Sequence, residues 1–532
     1  MKQFVSFMLC LLAFSAASAQ VTTSSMSGHV QDEQGAPVVG ALVLATHTPS
    51  GTEYSAIVDG TGNYRIMNMR SGGPYSVKIS MLGFQTVLNE GINIALGDNY
   101  VLDVTLPIES TDLDEVVVTG TRSSILNSDR AGVATNINNR QLNVLPTVSR
   151  SISDFTRLTP QAGNSGSFGG RDTRYNNVSI DGAAFAQRFG LSTSNNYPGG
   201  DAQPISLDAI QEISVNLTPF DIRQSNFTGA NINAVTKSGD NSYHATAYTF
   251  QRFKSMTGDR VQDATVANAK TTSRQTYGAS VGGPIIKNKL FFFINGELEY
   301  KSFLGNQWQP STDGVGSAEN KISQTTIADL EKVSDYLQKT YGYNPGAYQN
   351  FGNSAADNYK IMARIDWNIS KNHKLMVRYN DVKSQDDNLV SGASTPGGVR
   401  LNNAGRNSIN SISFANTGYK QENRVRSITA ELNSVFSPKV SNKLLASFTN
   451  INDTRKTDGD LFPFVDIMRL GSDGKTYEGY MSFGTEIFSF NNGVLNNTFN
   501  ITDNVTIGLG QHTLTAGLSY ENQHFSNGYM RE

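Results

Sequence analysis

Three stretches in the second half of the chain set its pattern. In LFFFINGELEY (290–300) one face carries Phe292, Ile294, Gly296, Leu298 and Tyr300, while the other carries Asn295, Glu297 and Glu299. In KIMARIDWNIS (360–370) Ile361, Ala363, Ile365, Trp367 and Ile369 face Lys360, Arg364, Asp366 and Asn368 across the strand. HTLTAGLSYE (512–521) sets Leu514, Ala516, Leu518 and Tyr520 against Thr513, Thr515, Ser519 and Glu521. Side chains alternate sides in an extended backbone, so this period of two predicts long β-strands from Tyr243 onward.

A soluble sandwich shows the same period, but two further features favour a membrane barrel. Aromatics recur at the expected strand ends (Tyr300, Trp367, Phe436, Tyr520), where a membrane interface needs them. The connections also alternate in length. Tight turns are predicted at 287–289, 371–372, 437–439 and 510–511; long polar stretches lie between them at 302–357, 385–420 and 456–477. Short turns at one end and long loops at the other is the outer-membrane layout. The first long loop holds a predicted helix over 326–341, with Ile327, Leu330, Val333 and Leu337 on one stripe.

Upstream the texture differs twice. Residues 27–106 show short strands at roughly eight-to-twelve-residue spacing, the pattern of a small sandwich. Gln34-Gly35 and Asp59-Gly60 mark turns, Tyr64 and Ile66 share one face, and Tyr75, Val77 and Ile79 point inward. Residues 112–239 are mixed α/β. SRSISDFTRLTP (149–160) has a Ser cap and apolar residues Ile152, Phe155 and Leu158 at helical spacing, and 205–221 reads as a short helix followed by a strand. At the junction, LDEVVVTGTR (113–122) places Val116, Val117 and Val118 in a row. Adjacent β-branched residues favour an extended backbone, yet no hairpin partner lies close by in sequence.

Residues 1–19 form a predicted secretory leader, with Lys2, an apolar core from Phe4 to Phe14, and Ala17-Ser18-Ala19 before Gln20. That core is too short to span a bilayer, and no later run approaches the ~20 apolar residues a membrane helix needs. Cys10 is the only cysteine, so disulfides do not stabilise the exported chain. The remaining composition fits a Gly- and aromatic-rich β protein: 49 glycines, 9% aromatics and 15 prolines in 532 residues. A net charge of −3 without a basic cluster excludes nucleic acid as a partner.

Catalytic chemistry finds no support. The six histidines form no H-x-x-E or H-E-x-x-H pattern, so neither metal nor cofactor is expected and the chain reads as no enzyme. Gly278-Ala279-Ser280-Val281-Gly282 matches G-x-S-x-G, but Gly283-Pro284 and another strand follow where a nucleophile elbow needs a helix. Asp453, Asp458 and Asp460 are expected on a solvated external loop, and Asp181-Gly182 as a turn.

With these elements in place, 27–106 resembles the carboxypeptidase regulatory-like domain, a transthyretin-like sandwich, at Gly35-Ala36-Pro37, Asp59-Gly60-Thr61-Gly62-Asn63-Tyr64 and Leu82-Gly83-Phe84. The chain as a whole resembles TonB-dependent outer-membrane receptors of the Oar-like group. The matches are Asp114-Glu115-Val116-Val117-Val118-Thr119-Gly120, Gly169-Gly170-Arg171 through Asp181-Gly182, and Thr228-Gly229-Ala230 through Lys237-Ser238-Gly239. The resemblance implies a mainly β fold in three parts: the sandwich, an α/β plug over 112–239, and antiparallel outer-membrane β-barrel strands over 240–532. It implies import of an unidentified ligand across the outer membrane of a Gram-negative bacterium. The partners would be membrane lipid and the periplasmic protein TonB with its inner-membrane energising complex.

On that resemblance Asp114, Glu115, Val116, Val117, Val118 and Thr119 are the TonB-coupling segment. Free backbone groups in an extended segment can be recognised by adding a strand to a partner sheet. The same valines can equally form the plug's first strand, and 108–112 is the other candidate for the coupling site. Arg171, Arg174 and Arg188 are candidates to face the lumen and meet an anionic ligand, or to pair with acids of the barrel. About ten strands are expected after Gly239, against the roughly 22 of a plugged transporter. The barrel is therefore expected to be incomplete, and this chain alone is not expected to transport. Two other readings stay open: an outer-membrane structural or adhesion protein without energised import, and a secreted carbohydrate-binding β protein.

Overall fold

The computed structural model describes residues 21–108, 116–118, 133–147, 150–163, 166–185, 203–219, 221–265, 272–392, 405–471, 474–475, 477–509 and 512–530. The first part is the predicted sandwich, formed by β1 (Ser24–Asp32), β2 (Leu42–His47), β3 (Thr52–Ile57), β4 (Asn63–Met69), β5 (Gly72–Ser80), β6 (Val87–Ile94), β7 (Asn99–Val101) and β8 (Val104–Leu106). One sheet runs β4-β1-β7, with β8 also on β1; the other runs β3-β2-β5-β6 and ends on β9 (Val116–Val118). The alternating inward residues named from sequence fill the space between the sheets: Tyr75, Val77 and Ile79 are fully buried beside Tyr64 and Ile66.

The second part is an α/β body. Its sheet runs β10-β13-β14-β11-β12, from β10 (Ala134–Asn138), β11 (Asn177–Ile180), β12 (Ala183–Ala184), β13 (Ile210–Asn216) and β14 (Asn231–Thr236). Two short helices, α1 (Asn139–Val144) and α2 (Ile152–Thr156), sit on it. The Ser that caps α2 is Ser151: its hydroxyl accepts from the Asp154 backbone N–H and the Asp154 carboxylate accepts from the Ser151 N–H, a reciprocal box that fixes the first turn. Ile152 and Phe155 are buried, but Leu158 is exposed, because the helix stops at Thr156 before the stripe reaches it.

From His244 onward, strands and loops come in chain order. The strands are β15 (His244–Arg252), β16 (Arg260–Val261), β17 (Ala264–Thr265), β18 (Ser273–Ile286), β19 (Leu290–Phe303), β20 (Gln309–Ser311) and β21 (Ile322–Thr326). Helix α3 (Ile327–Tyr341) precedes β22 (Ser354–Asn368), β23 (His373–Asn388), β24 (Ile412–Ser413), β25 (Tyr419–Ser437) and β26 (Val440–Thr457). Last come β27 (Val465–Leu470), β28 (Tyr477–Phe483), β29 (Gly493–Leu509) and β30 (His512–Gly528). The described residues contain a nine-stranded antiparallel wall, β15-β18-β19-β22-β23-β25-β26-β29-β30, against the ten or so strands expected.

The burial along this wall is inside-out. Val281, Ile294, Ala363, Tyr379, Ile428, Phe448 and Phe499 are cross-strand partners in one continuous row. Its large side chains stay 39–49% exposed. One residue along, the row Ser280, Asn295, Met362, Asn380, Ser427 and Thr449 is buried, and five of these six are polar. A soluble sandwich buries its apolar face, since water rejects it; a wall that turns that face outward has lipid as its solvent. From Leu290 to Tyr300 the strand rises roughly 33 Å, or about 25 Å vertically at the ~40° tilt usual for barrels, the height of an outer-membrane apolar band.

Exposed Trp367 and Phe436 lie near short turns and Tyr300 near a long loop, as a girdle requires. Tyr520 does not: it pairs with Ile501 in the middle of β30, which runs on to Gly528, so the strand is longer than its apolar stripe. Asp453 is also displaced from its expected place, being a buried member of β26, because that strand outlasts the apolar alternation used to place its end. Ser280 lies in mid-strand in β18, bonded to Thr246, and so forms no elbow.

The long connections are more ordered than their polarity predicts. β24, β27 and β28 make a three-stranded sheet from two different loops. Helix α3, capped by Thr326 and ended by Gly342 at φ +66°, packs Leu330 and Leu337 onto it with Tyr343, Phe414, Met481 and Phe483. The buried pair Arg406–Asp466 ties the second loop to the third, with nitrogen–oxygen distances of 2.9 and 2.8 Å.

Candidate functional site

Asp181 and Gly182 are the two-residue turn between β11 and β12. Both have positive φ, +44° and +77°, the mirror-image turn whose twist suits a hairpin. This turn aims the Asp181 carboxylate at the wall. There Arg364 of β22 and Arg378 of β23 are direct cross-strand partners on the inward face. Two like charges facing each other are destabilising unless an anion intervenes. Asp181 intervenes: Oδ1 lies 3.5 Å from Arg364 Nη1 and Oδ2 3.4 Å from Arg378 Nη1. The same carboxylate accepts from the Thr236 N–H (2.9 Å) and hydroxyl (2.8 Å), which hold it in place.

All three charged side chains are at most 8% exposed, so none is hydrated as in bulk water. Asp366 completes the balance, accepting from Arg364 Nε at 2.8 Å and Nη2 at 2.7 Å. Two positive and two negative charges then balance at one site, with Asp366 the most exposed of the four at 19%. Gly182 is required by its φ and by space, since a Cβ there would come within 2.9 Å of the Leu445 side chain.

Two further clusters repeat this neutralised design. Lys360 donates to Glu297 at 2.6 Å with both side chains buried, and Glu297 also accepts from Ser206 (2.8 Å) and Tyr248 (2.7 Å). Near the start of the described chain, Thr22 bonds both Glu431 and Lys443. Between the clusters, Phe293, Met362, Val425 and Ile451 of the wall join the body's own apolar core. The α/β body is thus bound to the inner face of the wall by one shared core and two buried polar clusters, while the third ties Thr22, just ahead of the sandwich, to the same face.

The sandwich lies against the short-turn end. Asn241 donates its N–H to the Pro49 carbonyl (2.9 Å), Asn368 bonds Thr52 (3.1 Å), and Asn68 reaches the Asn442 carbonyl (3.3 Å). The Lys374 ammonium sits 4.3 Å above the Tyr54 ring. Glu212 of β13 accepts from the Leu96 N–H at 2.9 Å, so the sandwich also touches the body. Inside it, burial and the nearby Arg70 charge push the His47 imidazole down to about 3, while Nδ1 stays 2.7 Å from the Ser50 hydroxyl.

The coupling candidates divide. Val116, Val117 and Val118 form β9, parallel to β6 with Cα partners Val87, Leu88 and Asn89. It is therefore a strand of the sandwich sheet, not of the body. Asp114, Glu115 and Thr119 lie outside the described residues, as does Arg188. Arg171 and Arg174 are exposed, and Arg174 pairs with Asp172 of its own turn at 3.0 Å rather than with the wall. The charges that reach the wall include Asp181, opposite in sign to the arginines singled out from sequence, Asp208, which accepts from the Thr246 hydroxyl at 3.1 Å, and Arg150, 3.9 Å over the Phe250 ring. Among the described residues no group of three or more His, Cys, Asp or Glu side chains is placed to hold a metal ion.

The outer membrane beta barrel domain family matches residues 235–530, and the carboxypeptidase regulatory-like domain matches residues 25–107. The chain belongs to the outer membrane beta barrel domain family. As a member it is a protein of the Gram-negative outer membrane, which removes the secreted soluble alternative. This barrel protein is similar to the TonB-dependent transporter Oar of Myxococcus xanthus, 29% identical over 302 residues, or 53% of this chain and 27% of that one. It is also similar to the TonB-dependent receptor P3 of Formosa agariphila, 24% identical over 414 residues, or 74% of this chain and 36% of that one. The chain thus spans about a quarter to a third of the length of these curated relatives. Among solved structures, the Escherichia coli outer membrane transporter YddB gives a TM-score of 0.48 at 10% identity, covering 73% of this chain and 48% of that one. The siderophore receptor PirA from Acinetobacter baumannii gives 0.44 at 16%, covering 74% and 48%.

Proposed function

We propose that this barrel protein works as a TonB-dependent transporter, with residues 1–19 as its leader and 112–239 as a plug inside the barrel. External ligand is taken up at the long-loop end, and TonB, energised from the inner membrane, pulls on 114–119 to displace the plug. The observation that carries this reading is the Asp181 site, where an α/β body with its own sheet is held to the lumenal face by a charge cluster rather than by continuous strands. Such an interface can be undone and remade as a unit. The likeness to Oar and P3 supports the assignment of TonB as the partner.

The test is capture of the protein, solubilised from outer membranes, on an immobilised periplasmic domain of TonB. Wild type is retained, and Val117→Pro, which removes a backbone donor from the coupling segment, loses retention at least about tenfold. Retention of Val117→Pro at the wild-type level overturns energised import in favour of a structural or adhesive role.

A further inference from the structure

The outward face of the wall changes character between its middle and its long-loop end. On β23 and β25 the outward residues Tyr379 and Ile428 are cross-strand partners, and both are exposed. Two residues further toward the long loops, roughly 7 Å along the strands, the same face carries Asp381 opposite Arg426, and then Lys383 opposite Arg424. Arg424 donates from Nε to Asp381 Oδ1 at 3.2 Å and from Nη2 to Oδ2 at 2.8 Å, while Arg426 Nε lies 4.0 Å from the same carboxylate. Three cations thus surround one anion. The Arg424 and Arg426 side chains are 37% and 47% exposed, against 12% for Asp381.

This excess of positive charge is local. On the neighbouring β26 the partners of Arg426 and Arg424 are the uncharged Asn450 and Asn452. Nearer the loops, cations and acids are matched: Lys456 lies 2.7 Å from Glu422, and Lys420 lies 3.8 Å from Asp387 and 3.4 Å from Asp458. In the other direction the row runs from Asp381 through Ile361 to Gly296, Ala279 and Ala247. The last three are small and leave a groove of about 940 Å³, walled by Tyr277, Leu298 and Ile361 and ending at Asp381. A Cβ at Gly296 would meet nothing within 4 Å, so the floor of the groove is open.

We propose that this face holds one phosphate-bearing lipid of the outer leaflet, its phosphate on Lys383, Arg424 and Arg426 and an acyl chain in the groove over Gly296. The guanidinium fork matches phosphate oxygens, and Asp381 fixes the orientation of Arg424 for that contact. The cations stand just beyond the exposed Tyr379 and Ile428, with hydrocarbon on one side, so an anion here is attracted more strongly than in bulk water. The groove has no polar floor, and filling it with a chain covers apolar surface at close contact. A seat for phosphate and a slot for hydrocarbon lie side by side, at Asp381, and an acylated phosphate is the chemistry that uses both.

The experiment titrates the full chain, solubilised from outer membranes in mild detergent, with lipid A (a phosphorylated, acylated disaccharide) and counts bound lipid by native mass spectrometry. Expected are one lipid A retained per wild-type chain and at least about tenfold weaker binding by Lys383→Gln/Arg426→Gln, which leaves the Arg424–Asp381 pair intact. Gly296→Trp, which fills the groove without touching a charge, weakens binding as much. Lys420→Gln/Lys456→Gln, which removes two cations nearer the loops, leaves it unchanged. Wild-type affinity in Lys383→Gln/Arg426→Gln, or equal affinity of the wild type for lipid A stripped of its phosphates, overturns the phosphate seat. Wild-type affinity in Gly296→Trp, or equal affinity for the deacylated phosphodisaccharide, overturns a lipid as the occupant in favour of a free phosphate ligand. A wild-type chain that retains no lipid A overturns the proposal outright.

Discussion

Replacing Asp181 by Asn keeps the shape of the turn and an acceptor for Thr236 but removes one charge from a site holding two arginines. The two approaches are 3.5 and 3.4 Å, so at an effective dielectric of about 20 each attraction is worth about 5 kcal/mol. Most of this is offset by the cost of taking the ions out of water, and removal of one member of a buried cluster costs about 3–5 kcal/mol. If that cost falls on local undocking of the α/β body, amide exchange in β11 and β12 accelerates roughly 100- to 4000-fold, at about 1.4 kcal/mol per factor of ten. Hydrogen-exchange mass spectrometry of residues 177–184 in lipid nanodiscs measures this directly. Asp172→Asn is the control, since its pair with Arg174 is solvent-exposed and screened by water. An acceleration below threefold in a folded Asp181→Asn protein refutes the account of the site.

Three other outcomes follow from the same geometry. His47 is held neutral in the folded sandwich with its value lowered to about 3, whereas the unfolded chain takes up a proton from pH ~6.5 downward. Sandwich stability therefore falls as pH drops through that window, by up to about 1.4 kcal/mol per unit, and His47→Gln flattens the slope in melting curves taken from pH 7 to 4. Ile428→Arg, on the lipid side, costs about 2–4 kcal/mol in urea titrations of lipid-embedded protein, while Ser427→Ala beside it costs under about 1; equal costs would contradict the wall's orientation. Gly182→Ala, strained by φ +77° and by Leu445, destabilises docking by about 1–3 kcal/mol and speeds exchange of the same 177–184 peptide.

The alternation in 290–300 and 360–370 was enough to place every long strand it covered, because period two survives whichever face is buried. Which face is buried had to come from turn lengths and aromatics, and there Tyr520 misled, since an aromatic can sit anywhere along an apolar stripe. Lys360, Arg364 and Asp366 were legible as a polar face, but their partners were not. Asp181 is 183 positions from Arg364, and a local Asp-Gly pair signals only its turn. Arg171 and Arg174 drew attention as charges in a glycine-rich loop, yet an arginine with an acid two residues away satisfies itself locally. The apolar core under the long loops was legible only on its helical side, as the stripe of Leu330 and Leu337, because Ile412, Phe414, Met481 and Phe483 come from two other segments, each too short to show a period.

The central claim is that pull on the coupling segment moves the α/β body away from the wall. Ala183, fully buried in β12 next to Gly182, reports on this as a single cysteine in a Cys10→Ser background. Alkylation by a membrane-impermeant maleimide would be timed in respiring cells of the source bacterium in their growth medium. The account predicts labelling that slows at least about tenfold when Val117→Pro is added or a protonophore collapses the inner-membrane gradient. Labelling at one rate in all three conditions would contradict it.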